Sequence, residues 1–212
     1  MLLVTHIVSG LIGLLSGLVI LILKKGDSRH KTLGKVFLYA MMLSAIVGLV
    51  LSHLRSSIFF FVIGVFTIYL VGTGSRYIYL KLKGNDTASP KLLDWLLTIL
   101  MLLSGLFMVF IGIKNIIGGN NGGIILTIFG GIGLSGVWQD LRYYRGLEKS
   151  KMFWLKVHIS RMVGGFIAAS TAFLVNNMSY LPDVIPGTLY WLFPTIILVP
   201  FTIRWQRKWK TN

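Results

Sequence analysis

Long apolar segments recur along the whole chain, and they constrain its fold more than any other feature. Each segment is about long enough to cross the hydrocarbon core of a bilayer, which is roughly 30 Å thick. With 55% hydrophobic and only 13% charged residues, the chain is too apolar for a soluble core. The sequence therefore predicts an all-α transmembrane helix bundle, a single domain over 1–212, with seven spans at about 2–23, 33–53, 57–80, 92–113, 123–140, 152–175 and 187–203.

The basic residues are distributed unevenly over the segments that connect these spans. The formal net charge is +15, from 21 Lys and Arg against 6 Asp and Glu. All but two of the basic residues fall on one side of the predicted bundle, and the exceptions are Arg55 and Lys114. Lys and Arg accumulate on the cytoplasmic side of membrane proteins. We therefore expect the N-terminus outside, the C-terminus inside, contact of the basic 204–210 segment with membrane lipids, and no binding of nucleic acid.

The first apolar segment is expected to remain in the membrane and not to be cleaved. It begins close to Met1, and Lys24 and Lys25 follow the apolar run instead of preceding it. A signal peptide has the opposite order, with its basic region first. Cysteine is absent, which excludes disulfides, thiolate metal sites and iron–sulfur clusters.

The sixth predicted span carries two ionisable residues inside an apolar run. At helical spacing His158 and Arg161 share one face with Gly165 and Ala169. An ionisable side chain at the bilayer centre costs roughly 2.5–3.5 kcal/mol on insertion scales, so such residues face the interior of the protein and often serve function. This face is expected to point into the bundle.

The predicted topology sorts the polar residues of the spans into two layers. His6 and His53 fall at the outer boundary, and His30 and His158 at the inner one. Five charged residues from several spans join the inner layer. In one interpretation they form ion pairs, of Asp94 or Asp140 with Arg76 or Arg161, that fix helix packing. In the other they form a polar binding or redox site, comprising Arg76, Asp94, Asp140, Arg142 and Arg161.

The most concrete functional prediction is a b-type haem protein that transfers electrons. Neutral imidazoles are axial ligands of haem, and a histidine pair at each depth suits a two-haem carrier, with His6 opposite His53 and His30 opposite His158. Arg76 and Arg161 would hold the propionates. The glycine face of the first span, Gly10, Gly13 and Gly17, either packs against a helix or admits a porphyrin. A quinone would be a natural membrane-soluble partner.

Two other functions stay open at this point. A zinc-dependent intramembrane hydrolase would need about three ligands at one depth, and Asp94 or Asp140 could complete an inner site with His30 and His158. A carrier or binding protein for a lipid or small anion would use the inner polar cluster as its site. Such a carrier would move its seventh span, which contains Pro194 and Pro200.

Several short motifs follow one another along the chain. They are the early His6 with its glycines, the 28–35 stretch with His30 and Gly34, the 69–76 run, Asp94-Trp95, Asp140-Leu141-Arg142, the 158–173 run and the 191–195 run. In these motifs the chain resembles an uncharacterised family of multi-helix bacterial membrane proteins, a domain-of-unknown-function family. The resemblance implies a multi-pass protein of the bacterial cytoplasmic (inner) membrane, and it implies no particular activity.

Overall fold

The computed structural model describes residues 1–80, 89–120, 122–148, 150–182 and 186–208. Within these ranges the chain forms seven α-helices and one short 3₁₀ helix, Met178–Tyr180, and contains no β-strand. The α-helices are α1 (Leu2–Ile22), α2 (Ser28–Leu54), α3 (Ile58–Arg76), α4 (Leu92–Ile117), α5 (Gly122–Tyr144), α6 (Phe153–Asn176) and α7 (Gly187–Arg207). The predicted helical bundle is confirmed at this level.

Five of the helices, α1, α2, α4, α5 and α6, are long and apolar enough to cross a bilayer. Their outward faces carry large exposed hydrophobic side chains, such as Leu3, Ile7 and Leu11 on α1 and Leu103 and Phe110 on α4. A soluble monomer rarely exposes so continuous an apolar surface. These features indicate a membrane-spanning helical protein.

The central element is α3, which is enclosed by its neighbours. Every residue from 62 to 74 is buried, and α3 packs against α2, α6, α4 and α5. Its first turn is capped by Ser57, whose side chain accepts a hydrogen bond from the main-chain N–H of Phe60. A helix that is apolar around its whole circumference is typical of a protein core or of a membrane span, and α3 is in contact with four other helices. The remaining helices pair as α1 with α2, α4 with α5 and α6 with α7.

The ends of several helices differ from the predicted spans. Helix α2 begins at Ser28 instead of 33, because the side chain of Asp27 accepts a hydrogen bond of 2.7 Å from the main-chain N–H of His30. Helix α5 continues beyond 140 to Tyr144. His30 and Asp140 therefore both lie within helices, where their side chains have fixed directions. Residues 81–88, between the third and fourth predicted spans, and residues 183–185, before the seventh, lie outside the described residues, as do positions 209 and 210 of the predicted lipid-contacting segment.

The glycines of α1 serve helix packing. A Cβ atom at Gly13 would lie 2.6 Å from the sulfur of Met41, and one at Gly17 would lie 2.5 Å from the ring of Phe166. The space beside these glycines is thus filled by side chains of α2 and α6. Of the two interpretations of this glycine face, the structure supports close helix contact.

Helix α7 remains helical through Pro194 and Pro200 and joins the bundle through α6. Its last turn is held at the basic end of the molecule by two contacts. The Lys25 ammonium lies 4.8 Å from the ring centroid of Trp205, and the Gln206 amide donates a hydrogen bond of 3.0 Å to the main-chain oxygen of Lys156. At this end the C-terminal helix is therefore in contact with the α1–α2 connection and with α6.

The pair α4–α5 offers a matched test of close helix packing, at Gly130 and Gly131. A Cβ at Gly130 would lie 2.9 Å from the main-chain oxygen of Gly105, which cannot move aside, whereas a Cβ at Gly131 meets nothing within 4 Å. We expect Gly130→Ala to destabilise the protein by about 1–3 kcal/mol through overpacking. Gly131→Ala should be neutral or stabilising, since alanine favours helix by up to about 1 kcal/mol over glycine. Melting temperatures of both variants in mild detergent check this, and equal melting temperatures would contradict it.

Candidate functional site

The carboxylate of Asp140 on α5 is the centre of a buried polar network. Its side chain is fully buried, and it accepts hydrogen bonds of 2.7 Å from the hydroxyls of Tyr69 and Tyr77. The guanidinium of Arg161 on α6 lies 2.7 Å away, and the hydroxyl of Thr98 on α4 lies 3.2 Å away. Asp140 therefore receives donors from three other helices. This number of donors stabilises an ionised carboxylate in an apolar interior.

The guanidinium of Arg161 is enclosed by aromatic rings as well as by its carboxylate. It lies 4.9 Å from the ring centroid of Tyr69 and 5.0 Å from that of Tyr77, within the range of cation–π attraction. One of its nitrogens, Nη2, also donates a hydrogen bond of 3.0 Å to the main-chain oxygen of Gly136. The other, Nη1, is buried and has no hydrogen-bond partner among the described residues. With 4% of its surface exposed, Arg161 faces the interior as predicted.

A second ion pair lies between the end of α3 and the start of α4. Arg76 donates two hydrogen bonds to Asp94, of 2.7 Å from Nε and 2.8 Å from Nη2. Asp94 is fully buried and also accepts a bond of 2.8 Å from the main-chain N–H of Lys91, which caps α4. Thr98 connects the two pairs, because its hydroxyl lies 2.9 Å from the main-chain oxygen of Asp94 and near Asp140.

The structure brings together four of the five charged residues predicted for the inner layer. The ion-pair interpretation predicted this joining of Asp94 and Asp140 with Arg76 and Arg161. Arg142 lies on the exposed side of α5 and contributes nothing to the network. Sequence reasoning missed the tyrosines as partners of Asp140. The sequence offered one indication of their role, because the hydroxyl of a tyrosine within an apolar span needs a hydrogen-bond partner.

Removal of the Asp140 charge is expected to destabilise the bundle strongly. Asp140→Asn leaves the buried Arg161 guanidinium without its counter-charge, and breaking a buried pair in this way costs about 3–5 kcal/mol. Arg142→Gln, on the same helix but exposed, should change stability by no more than about 0.5 kcal/mol. The measurement is the midpoint of thermal unfolding in detergent. A loss as small in Asp140→Asn as in Arg142→Gln would show that the network does not hold the helices together.

His158 is fixed by a main-chain carbonyl of the central helix. Its Nδ1 lies 2.7 Å from the oxygen of Gly74, at a point where α3 and α6 approach so closely that a Cβ on Gly74 would lie 3.0 Å from the Cβ of Arg161. A carbonyl oxygen only accepts, so Nδ1 carries the proton of the neutral ring. The lone pair of Nε2 is then available to a ligand.

His30 lies in the first turn of α2, at the same end of the bundle as His158. This end also holds Lys25, which contacts Trp205 of α7, and Lys156, whose main-chain oxygen accepts a hydrogen bond from Gln206. Nδ1 of His30 is buried and has no hydrogen-bond partner in the described part of the chain. One helical turn further along α2, a Cβ on Gly34 would meet no atom within 4 Å, so the same face of the helix has open space beside it. The structure therefore places the two predicted inner histidines at the same end of the bundle, His30 on α2 and His158 on α6.

The outer histidines have different surroundings. Nδ1 of His6 lies 2.9 Å from the main-chain oxygen and 3.2 Å from the hydroxyl of Ser44 on α2. The ring borders a cleft of about 430 Å³ between α1, α2, α3 and α6. His53 is exposed near the end of α2 and does not border this cleft. The structure thus does not bring His53 into the cleft with His6.

Across the described ranges, no group of three or more His, Asp or Glu side chains is arranged to hold a metal ion. The inner carboxylates, which could have completed a zinc site, are instead paired with arginines. Comparisons with protein-family models, with curated proteins and with solved structures found no match to this chain.

Proposed function

We propose that this protein is a membrane electron carrier that binds a b-type haem between His30 and His158. The observation that carries the proposal is the orientation of His158. Its Nδ1 is held by the Gly74 carbonyl and its Nε2 is free, which is the arrangement that fixes the tautomer and direction of a metal-binding imidazole. The partner ring, His30, has a buried nitrogen without a hydrogen bond.

The residues along α2 and α6 are compatible with the macrocycle of a haem, but the residues predicted to hold its propionates must be changed. Gly34 leaves space on the face of α2 that carries His30. Phe37 and Phe166 lie about two turns further along the same two helices. Their ring centroids are 6.4 Å apart, in an apolar cluster of buried residues. Arg76 and Arg161, however, are already paired with carboxylates. Propionates would therefore be held better by the basic residues before and within the first turn of α2, such as Arg29 and Lys31, which are exposed.

In this proposal the side chains bind and orient the group that carries the electron. A bound haem b would supply reversible one-electron chemistry. The Gly74 carbonyl fixes which nitrogen of the neutral His158 ring carries the proton and aims the ring in one direction. His30 would supply the second ligand from α2. The network around Asp140 holds α6 against α3, so that the His158 ring cannot turn away. Asp140 and Asp94 act on position and take no part in the redox step.

We also propose that all seven helices cross the cytoplasmic membrane of a bacterium, with the N-terminus outside and the C-terminus inside. The support is the charge distribution, since basic residues collect at one end of the helices, together with the resemblance described above. In this orientation the proposed haem lies near the cytoplasmic surface. A quinone is the proposed electron partner, because it is soluble in the same bilayer.

The haem proposal is tested by visible absorption spectra of protein expressed with haem and purified in mild detergent. We expect a Soret band, with α and β bands that sharpen on reduction by dithionite. His158→Ala should abolish these bands, because it removes the better oriented ligand, and His30→Ala should abolish or shift them. His53→Ala is the matched control, since His53 is exposed, and its spectrum should equal that of the wild type. A colourless, well-folded wild-type protein would end the haem proposal.

The orientation can be tested with single thiols, because the chain has no cysteine of its own. Arg55→Cys and Asn120→Cys place a thiol on the proposed outer side, and Lys24→Cys and Leu147→Cys place one on the inner side; all four positions are exposed. A membrane-impermeant maleimide applied to intact cells should label only the first two. Labelling of the second pair instead would reverse the orientation, and labelling of one residue from each pair would change the number of crossings.

A further inference from the structure

The cleft beside His6 lies at the opposite end of the bundle from His30 and His158. Its volume of about 430 Å³ falls in the range of small-molecule sites. Most of its wall is apolar, and it is bordered by Leu3, Ile7 and Leu11, which also face outward from α1. A ligand dissolved in the bilayer can therefore reach it sideways between the helices, without passing through water.

The polar group that defines the chemistry of the cleft is the His6 imidazole. Because the Ser44 carbonyl accepts from Nδ1, the neutral ring carries its proton there and presents Nε2 as a hydrogen-bond acceptor. A ligand group that meets this nitrogen must be a donor. A hydroxyl satisfies this requirement, whereas a carbonyl or an ether oxygen does not.

The charged residues that line the cleft further restrict the class of ligand that it can bind. No carboxylate borders it among the described residues, so nothing there would neutralise a cation. Arg55 is its only charged lining residue in the described chain, and that side chain is exposed at the outer mouth. An uncharged ligand is therefore favoured in the apolar interior, where an isolated charge is costly.

The shape of the wall favours a ring with an alkyl tail. Phe60 of α3 and Phe173 of α6 border the cleft from two helices, and such side chains contact a flat ring well. Beyond His6 the cleft continues along Leu14, Met41 and Ala45, which together can enclose an alkyl chain.

We propose that this cleft binds an uncharged amphiphile with a phenolic hydroxyl and an alkyl tail, the chemical class to which membrane quinols belong, and that His6 accepts the hydrogen bond of that hydroxyl. The inference rests on the proposed function only in naming a quinol as the natural ligand, since the binding itself requires no haem. His6 is then a binding residue of the outer end, separate from the inner histidine pair.

The test uses two ligands that differ only in the hydroxyl, nonylphenol and nonylbenzene. Their binding is measured by ligand-dependent stabilisation of the protein in phosphatidylcholine nanodiscs. We expect nonylphenol to bind about tenfold more tightly, which is what one neutral hydrogen bond of about 1.4 kcal/mol provides. Equal binding of the two ligands by the wild type would overturn the proposal.

Two pairs of variants locate the site. His6→Phe keeps a ring but removes the acceptor, so the preference for nonylphenol should disappear, while His53→Phe, outside the cleft, should retain it. Ala172→Leu fills the cleft from α6 and should weaken both ligands at least tenfold, whereas Ser170→Leu, on the same helix but outside the lining, should not. If His6→Phe does not fold, the second pair decides. A preference that survives in His6→Phe, or binding that survives in Ala172→Leu, would overturn the proposal.

The alternative ligand of the cleft is an anionic amphiphile, and we use decanoate to test for its binding. Decanoate that binds more tightly than nonylphenol, and loses its affinity in Arg55→Gln but not in His6→Phe, would replace the phenol as ligand. The absorption spectrum of the same samples separates this result from the haem proposal. A colourless protein that prefers nonylphenol would refute the haem proposal and support the proposal for the cleft. A protein that binds haem but shows no such preference would support the haem proposal and refute that for the cleft.

Discussion

The bundle depends on one buried carboxylate, that of Asp140. Apolar packing alone specifies little in a membrane, because lipid tails are as apolar as the side chains they replace. Hydrogen bonds to a buried charge are specific, since rotation of any contributing helix leaves that charge partly unpaired. Four side chains donate to Asp140 of α5 or lie within hydrogen-bond distance of it: Tyr69 of α3, Tyr77 directly after α3, Thr98 of α4 and Arg161 of α6. The relative rotation of four helices is therefore fixed at one point.

The network also explains why α3 is the central element. This helix carries Tyr69 and Arg76, and Tyr77 follows its last residue, so that it supplies both tyrosines that reach Asp140 and the arginine that pairs with Asp94. Every residue from 62 to 74 is buried, and most of them are apolar. The pairs α1–α2, α4–α5 and α6–α7 can each form through short connections, and most of the contact among the three pairs is made through α3, with a smaller direct contact between α1 and α6. Its polar residues thus set the register, and its apolar residues supply the contact area on which the surrounding helices pack.

Much of this arrangement could be predicted from the sequence, because length, hydropathy and charge are local properties. The apolar segments located the helices, and charged residues within them identified the ion pairs. The side of a helix on which a residue lies was harder to predict. Residues two positions apart point in nearly opposite directions on a helix, so the burial of Asp140 implies the exposure of Arg142. Which of the two faces the interior depends on Tyr69 and Tyr77, which belong to another helix and leave no trace in the local pattern.

For the histidines, too, the sequence did not show which neighbouring group each ring would contact. His6 and His158, at opposite ends of the bundle, each bind a main-chain oxygen of a neighbouring helix through Nδ1. A serine or an asparagine could also donate a hydrogen bond to that main-chain oxygen, but neither side chain has a second ring nitrogen that could accept a bond from a ligand. A histidine in this position presents Nε2 on its far side, with the tautomer already chosen. Since this feature is repeated at both ends, the two histidines have in common a fixed tautomer and a second ring nitrogen that a packing role does not use, and both of our binding proposals rest on that nitrogen.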